Sequence, residues 1–414
     1  MIDNLDGPWR ATDPFTFAHR ASKHQRGHLQ YRNPRAHTQL SELQCRLWCH
    51  ERDLRDKYSQ DGDESRAQRW HNQLEGDVEC GRDDDNQYVP SADQIQSAMS
   101  RLKAGSDAIG LPVAVLKQTV GTPAFDSIVN SIQRMWRTGE IPNSFTLSRV
   151  HLIYKSGPPE LLSSHRTIGI CSAMSRLFQV TVESKLMEEV GHRISPAQYG
   201  FMRNKATELC VFVAEAVTFA ARCDGAMVDT GFVDIKGAFP TTRHDIIHAA
   251  LRNYNVSVAV RRIIINWYAK QRLFLQLGRL ISDIVGQWLG VTEGNVFSPI
   301  IFVIVVDPAI HRLHSLYLIA NFDIGIPVLM KLLILLFYAD DGRTFGLTQR
   351  AKQFLWSHLG REFAELFFLF NFAINKTAVM RSMPIPKQQR ARARTQPPPQ
   401  YTLSNTPIPQ TAVY

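Results

Sequence analysis

The segment that most constrains this chain is "LLILLFYADDGRTFG", in which an apolar run leads into Tyr338 and two adjacent acids, Asp340 and Asp341, followed by Gly342. Such a run followed by turn residues predicts a buried strand and a β-hairpin that carries the acids at its tip. Neighbouring carboxylates repel each other unless a cation lies between them. The segment therefore predicts a cation site, although an isolated acid pair is also common in solvated turns.

A second acidic segment, "TGFVDIKGAFPTTRHDII", has a short β-like run that ends at Asp234 and a helical pattern soon after it. Because Asp234 lies far from Asp340 in the sequence, only the fold could bring the two together. Phosphoryl transfer gives a reason for such convergence: two Mg²⁺ ions about 3.5–4 Å apart clamp the attacking and leaving oxygens. Hard cations of this kind prefer the oxygen ligands that carboxylates supply.

Helical and strand patterns alternate irregularly along the chain, without a βαβ repeat, and this predicts an α+β fold. The polar segment His37–Tyr58 has the composition of a solvated helix, and Pro384–Pro399 reads as a basic, proline-rich linker. The other predicted helices are Ser91–Gly105, Ala124–Trp136, Ser172–Val190, Ala206–Arg222 and His244–Tyr254. The predicted strands are Val150–Tyr154, Thr230–Val233, Phe274–Leu277 and Leu332–Tyr338.

The charge balance of the 414 residues is +9, which suits a polyanionic partner such as nucleic acid. Six cysteines without a pairing pattern indicate a reduced protein, and the first residues lack the apolar core of a secretory signal. The apolar stretch Ile324–Phe337 is too short for a membrane span and predicts a buried strand with its approach. We therefore expect an intracellular protein, in the cytoplasm or nucleus or both, that is not secreted and not bound to a membrane.

Ordered sequence blocks give the chain a resemblance to reverse transcriptases, and to those of non-LTR, LINE-type retrotransposons in particular. "FYADD" is similar to the signature Y/F-A-D-D, and "FVDIKGAF" is similar to F-x-D-I-x-x-A-F. Further similar blocks follow in the order of the family: "RLKAGSDAIGLPVAVLK", "LIYKSG", "HRTIGICSAMSRLF", "SPAQYGFMRNKAT", "GVTEGNVFSP" and "NKTAVM". Their common order, from about residue 91 to residue 380, makes the resemblance specific.

The resemblance implies an RNA-directed DNA polymerase that adds dNTPs to a primer 3′-hydroxyl on an RNA template, with two Mg²⁺ ions or with Mn²⁺ in their place. It implies that Asp234, Asp340 and Asp341 bind metal through their carboxylates, and Ile235 through its backbone carbonyl. Lys376 is implied as a catalytic cation near the leaving pyrophosphate. Phe239 is implied as the aromatic residue that excludes a ribose 2′-hydroxyl. The remaining nucleotide-binding positions are Lys155, Arg166, Glu293, Gly294 and Tyr338.

The resemblance also implies a right-hand polymerase fold made of fingers and palm, with an antiparallel palm sheet packed on helices. We expect a polar helical extension over residues 1–90, fingers over 91–215, a palm over 216–380, and a linker with the start of a hairpin over 381–414. On this interpretation the chain is a fragment that lacks both the endonuclease and the thumb. We therefore expect metal and nucleic-acid binding but little primer extension, because positioning supplies most of the catalysis in phosphoryl transfer.

The residues around the three implied metal-binding acids depart from the family pattern at several positions. Glu293 stands where the family has Gln, so an amide donor is replaced by an acceptor beside the expected phosphates, and this predicts weaker nucleotide binding. Pro240 replaces an Asp, Met202 and Arg203 disturb the Gly-Phe-Arg order, and Thr167 and Gly169 alter the Arg-Pro-Ile-Ser block. Such drift suits either a divergent active element or a decaying copy.

Three other interpretations remain open from the sequence. A group II intron maturase shares the same acids, although "KAGSDAI" and "LSNTPIPQ" favour the retrotransposon type. A catalytically inactive remnant that still binds RNA would keep the same fold. Cys45, Cys49, His50 and Cys80 could bind zinc, but their irregular spacing favours ordinary packing.

Overall fold

The computed structural model describes residues 34–58, 88–104, 111–159, 161–319, 326–328, 331–333, 335–373, 376–396 and 400–409, with side chains described except at 34–45, 316–319, 326–328 and 331–333. The fold is α+β, as predicted, and it divides into two compact units. The first unit comprises residues 1–189 and 255–298, and the second comprises 190–254 and 299–414. The predicted fingers and palm follow other boundaries and stay a prediction.

The helices, in chain order, are α1 (Pro34–Tyr58), α2 (Ala92–Arg101), α3 (Val113–Gln118), α4 (Pro123–Thr138), α5 (Asn143–Thr146), α6 (Ala173–Val190), α7 (Thr207–Cys223), α8 (Ala238–Thr241), α9 (His244–Asn253), α10 (Val258–Lys270), α11 (Ser298–Ile319), α12 (Gln349–Glu365) and α13 (Lys387–Arg394). The strands are β1 (Leu147–Tyr154), β2 (His165–Ile170), β3 (Val228–Asp234), β4 (Arg272–Leu277), β5 (Leu280–Ile281), β6 (Val285–Gly286), β7 (Ile326–Val328), β8 (Lys331–Leu333), β9 (Leu335–Tyr338), β10 (Asp341–Gly346), β11 (Ala378–Ser382), β12 (Thr402–Leu403) and β13 (Thr406–Pro407). Of the helices in the described part of the chain, none is both long and apolar enough to cross a membrane.

The sheet of the first unit has the strand order β2-β1-β4-β5, with β6 also paired to β4. Strand β1 runs antiparallel to β2 and parallel to β4. Helix α1 packs on this sheet, and the core between them contains Leu47, Leu54, Tyr58, Val150, Leu162, Leu273, Leu275 and Val285. The prediction of a solvated helix is therefore wrong over the described side chains, because Leu54 is fully buried and contributes to the core.

The four-stranded sheet of the second unit has the order β11-β3-β10-β9, and all three pairings are antiparallel. Helix α12 packs against it through Trp356, whose indole Nε1 donates to Thr344 Oγ1 at 2.8 Å. The indole lies so close to Gly231 of β3 that a Cβ there would come within 2.3 Å of the ring. Helix α12 therefore holds β3, the strand that ends at Asp234, in the interior of the sheet.

The C-terminal segment contains more structure than the predicted linker, since Lys387–Arg394 forms α13 with Ala393 buried. Strands β12 and β13 form the hairpin that the sequence predicts after it. Tyr401, beside this hairpin, donates its hydroxyl to Asp229, and Asp229 also pairs with Arg381 at 2.7 Å. The Nζ of the buried Lys352 donates to the Asp229 carbonyl, so a buried polar network ties the hairpin to β3.

Candidate active site

Strand register brings the two acidic segments of the sequence together in the second unit. Asp234, the last residue of β3, lies directly opposite Asp341, the first residue of β10. Asp341 in turn lies opposite Tyr338 across the β9–β10 hairpin. Because directly opposed residues share a face of an antiparallel pair, the side chains of Asp234 and Asp341 project from the same face. Asp340 lies in the turn between the strands and is half-buried.

The turn itself has an unusual backbone, since Ala339 has a φ of 57° although it is not glycine. A second segment supports it: Gln198 Oε1 accepts hydrogen bonds from the backbone N–H of Ala339 at 2.9 Å and from that of Gly200 at 2.8 Å. The N–H of Tyr199 donates to the Phe337 carbonyl at 2.7 Å. The acidic turn is thus held by the backbone of its own hairpin and by residues 198–200.

Both carboxylate oxygens of Asp234 have partners. Lys376 Nζ lies 3.1 Å from Oδ1, and Asn371 Nδ2 donates to Oδ2 at 2.8 Å. Asn371 is doubly attached, because its backbone N–H also donates to the Asp234 carbonyl at 2.8 Å. The resemblance identified Lys376 but not Asn371, which lies before the "NKTAVM" block and has no sequence signal of its own. The two residues fix the orientation of Asp234.

The electrostatics of the pair favour a bound cation. Burial raises the pKa of Asp341, the negative charge of Asp234 raises it further, and Lys376 lowers it. A cation between the two carboxylates would relieve this repulsion, as the Lys376 ammonium does in part. The donor set therefore fits a hard divalent cation.

The arrangement nevertheless differs from a complete metal-binding cluster. Among the described residues, no group of three or more His, Cys, Asp or Glu side chains is arranged to hold a metal ion. The sequence predicts that all three acids lie within one metal's reach, whereas the structure places their segments side by side and gives Oδ1 of Asp234 to Lys376. A metal ion would therefore exchange places with the ammonium at this oxygen.

Phe239 and Ile235 lie in the segment that follows β3. Phe239 is half-buried in α8 and stacks on Phe302, with ring centroids 5.2 Å apart and planes inclined by 16°. Phe201 meets the same ring edge-on at 6.4 Å. The Ile235 side chain is buried, and its backbone forms an antiparallel bridge with Phe370. The contacts with Phe302 and Phe201 thus hold the Phe239 ring in place and leave part of it exposed.

The other predicted site residues lie in the first unit. Arg166, in β2, is 59% exposed at its side chain, and its Nε lies 3.5 Å from a carboxylate oxygen of Glu293. Lys155 follows β1, and its backbone N–H donates to the Ser164 carbonyl at 2.8 Å. Lys155 and Arg166 therefore lie near the adjoining ends of two antiparallel strands. Of these two cations, Arg166 is the one that pairs with Glu293.

Gly294 has a φ of 110°, in the left-handed region that favours glycine. A Cβ at this position would lie 2.3 Å from the Gly169 carbonyl oxygen. The adjacent Glu293 carbonyl accepts from the Gly169 N–H at 2.6 Å. The close backbone approach that Gly294 allows in this structure is therefore to β2, and its role toward a nucleotide stays a prediction.

Comparison with known proteins places this sequence in a family. The family described as reverse transcriptase (RNA-dependent DNA polymerase) matches residues 153–393, more than half of the chain. The Pol polyprotein of the type-1 retrotransposable element R2 from Popillia japonica is 27% identical over 233 residues, which are 55% of this chain and 31% of that protein. The R2 polyprotein from Nasonia vitripennis is 24% identical over 238 residues, 55% of this chain and 23% of that protein. The chain thus spans about a third or less of these relatives.

Two solved structures of telomerase from Candida tropicalis are 13% identical and cover 62% of this chain. The apo form, truncated from its C-terminal domain, has a TM-score of 0.41 over 55% of its own chain, and the complex with telomeric RNA has 0.42 over 45%. A likeness of this size is too weak to bear on the fold. The family match confirms the resemblance predicted from the sequence blocks, and the R2 polyproteins are the retrotransposon proteins to which the chain is similar. The chain belongs to the reverse transcriptase family.

Proposed function

We propose that this chain carries the polymerase centre of an RNA-directed DNA polymerase, which extends a DNA primer on an RNA template with dNTPs. The observation that carries the proposal is the register of β3 and β10, which sets Asp234 opposite Asp341 beside the turn that holds Asp340. In the reaction, the primer 3′-oxygen attacks the α-phosphorus of the dNTP and loses its proton. A new P–O bond forms as the bond to the β-phosphate breaks and pyrophosphate leaves.

Members of this family use divalent metal ions, and two Mg²⁺ ions, or Mn²⁺ in their place, suit this site. Asp234, Asp340, Asp341 and the Ile235 carbonyl would hold them. When bound, the ions lower the pKa of the attacking hydroxyl and stabilise the charge on the leaving oxygen. Asn371 orients Asp234 through Oδ2, which leaves Oδ1, now paired with Lys376, as the oxygen that would hold a cation. Lys376 would then be available to a leaving pyrophosphate.

The remaining predicted residues select and bind the nucleotide. Phe239 is the proposed sugar-selecting residue, and its stacking on Phe302 supports the proposal because the supported ring would resist displacement by the additional 2′-hydroxyl of a ribose. Lys155 and Arg166 supply charges for the triphosphate, with Arg suited to bidentate phosphate contact. Tyr338, Glu293 and Gly294 are the other nucleotide-binding residues of the proposal.

The decisive experiment is single-nucleotide addition to a labelled DNA primer annealed to RNA, with Mg²⁺ or Mn²⁺, by the chain and by Asp234→Asn. The matched control is Asp245→Asn, which removes an acid of the same unit that pairs with Arg243. Loss of addition in Asp234→Asn alone supports the proposal. Template-dependent addition that survives Asp234→Asn would refute it, and duplex binding without any addition would favour the inactive, RNA-binding alternative.

A further inference from the structure

The N-terminal helix α1 brings a lysine into the predicted phosphate-binding region of the first unit. Lys57, on its last turn, is half-buried, and its Nζ donates to Thr167 Oγ1 at 3.0 Å. Thr167 is the neighbour of Arg166 in β2. Residue 57 lies outside the part of the chain that the family matches, residues 153–393. Neither the resemblance nor the family therefore assigns this lysine a role.

Lys57 is held in place by the packing of the helix end. Tyr58 is buried at 2% exposure, and its hydroxyl lies 3.3 Å from Thr167 Oγ1. The Tyr58 carbonyl accepts hydrogen bonds from the backbone N–H groups of Trp288 and Leu289, at 3.0 and 3.1 Å. Because these contacts fix Tyr58 and Lys57 Nζ donates to Thr167, the ammonium group lies beside strand β2.

The charges around Lys57 leave an excess of positive charge. Glu293 attracts Lys57, whereas Lys155 repels it. Glu293 also pairs with Arg166 at 3.5 Å, so one carboxylate serves two cations while a third lies nearby. Burial is the main reason that the pKa of Lys57 falls to about 8, with Glu293 opposing the fall and Lys155 adding to it. A ligand with several negatively charged oxygens would neutralise the remaining positive charge of this cluster.

We propose that Lys57 joins Lys155 and Arg166 in one phosphate-binding surface, for which Glu293 is the internal counter-ion. The ligand is the triphosphate of an incoming nucleotide, and its oxygens replace the Glu293 carboxylate as partners of the cations. This inference rests on the proposed function and extends it, since it makes the N-terminal helix part of the substrate site.

The test measures binding without turnover, so it can succeed even if the chain extends no primer. Tripolyphosphate and a dNTP are titrated into the chain by calorimetry, and the same titrations are made with Lys57→Gln. We expect about tenfold weaker binding in Lys57→Gln, the usual loss for a charge-assisted contact, and partial recovery in Lys57→Arg. The matched control, Arg52→Gln, removes a cation of the same helix whose side chain is 72% exposed, and should bind normally.

A proton-uptake measurement separates direct contact from a merely structural role. Near pH 8 Lys57 is partly deprotonated, and bound phosphate should raise its pKa, so binding should take up about half a proton in the chain and less in Lys57→Gln. The charged or titratable groups around it are Tyr58, Lys155, Arg166 and Glu293. Calorimetry in buffers of different ionisation heat reports this uptake.

A single-stranded RNA oligonucleotide distinguishes the two sources of phosphate. If Lys57→Gln weakens RNA binding but leaves tripolyphosphate and dNTP binding unchanged, the surface binds nucleic-acid backbone and the proposal is overturned. Equal affinities for all ligands in Lys57→Gln and the unchanged chain would also overturn it. Thermal unfolding of each variant confirms that the fold is retained, and Lys57→Met provides an apolar replacement if Lys57→Gln unfolds.

Discussion

The two groups of charged residues in this molecule are held in different ways. In the second unit, Asp234 and Asp341 take their positions from strand register, and Asn371 fixes one of the carboxylates through backbone and side chain. In the first unit, the side chains of Lys57 and Glu293 contact Thr167 and Arg166 of the edge strand β2, respectively. The carboxylate pair is thus positioned by backbone pairing, whereas the charged groups of the first unit are positioned by side-chain contacts.

The largest effect is expected for the pair of Asp234 and Asp341, which strand register holds in place. Asp234→Asn removes one of two opposed carboxylates and should lower the rate of nucleotide addition by roughly 10³-fold, the order seen when a charge-stabilising group is lost. Single-turnover primer extension measures the rate, and Asp245→Asn should stay within about twofold. A loss of less than tenfold would mean that the metal site does not depend on Asp234.

The next prediction concerns the support of that acid. Asn371→Ala leaves Asp234 in place but frees Oδ2, and loss of such a supporting contact typically weakens metal binding or activity by about 10–100-fold. Mn²⁺ titration followed by electron paramagnetic resonance gives the affinity directly. Asn253→Ala, an exposed asparagine of the same unit, is the matched control. Unchanged Mn²⁺ affinity in Asn371→Ala would show that the strand alone orients Asp234.

Phe239→Ala tests whether the aromatic cluster beside the acids selects the sugar. Removing the ring should raise the use of ribonucleotides relative to deoxynucleotides by about tenfold, the order expected when one apolar contact in a pocket changes. The ratio of kcat/KM for rNTP and dNTP reports it. Phe219→Ala removes a ring that is 60% exposed elsewhere in the unit and should leave the ratio unaltered.

The smallest effect is expected among the charged residues of the first unit, Lys57, Arg166 and Glu293. Glu293→Gln removes the carboxylate that competes for Arg166, and should lower the KM for dNTP by about threefold to fivefold, since exposed ion pairs contribute up to about 1 kcal/mol. Steady-state extension measures KM, with Glu188→Gln as the control because Glu188 is another acid of the first unit that pairs with a cation, Lys185. A higher KM would show that Glu293 itself assists the nucleotide. The gain should vanish when Arg166→Gln is added.

Local patterns in the sequence predicted several of these elements correctly. The helix expected from Ser91 has Ser91 as its N-cap with a reciprocal capping box to Gln94, although it ends at Arg101 rather than near Gly105, which lies outside the described residues. The hairpin that carries Asp340 and Asp341 formed where an apolar run met turn residues. Such features depend on neighbours in sequence, so composition and spacing are enough to place them.

Features that depend on distant contacts were missed or misjudged. Helix α1 was taken for a solvated helix, although Leu47, Leu54 and Tyr58 recur on one helical face and could have indicated its burial. Asn371 and Lys57 gave no local signal, because their roles arise from partners more than a hundred residues away, at 137 and 110 positions. Only the assembled sheets bring these groups together.

The close approach of Gly200 to the acidic turn has a consequence for how this chain can evolve. A Cβ on Gly200 would lie 2.2 Å from the backbone nitrogen of Ala339, so the two positions share one space. A larger residue at Gly200 would push the turn and the acids beside it, and only a compensating change in residues 338–341 could restore them. Related chains should therefore vary at the two segments together or not at all, and a relative in which one segment changes alone should lose the position of the acids.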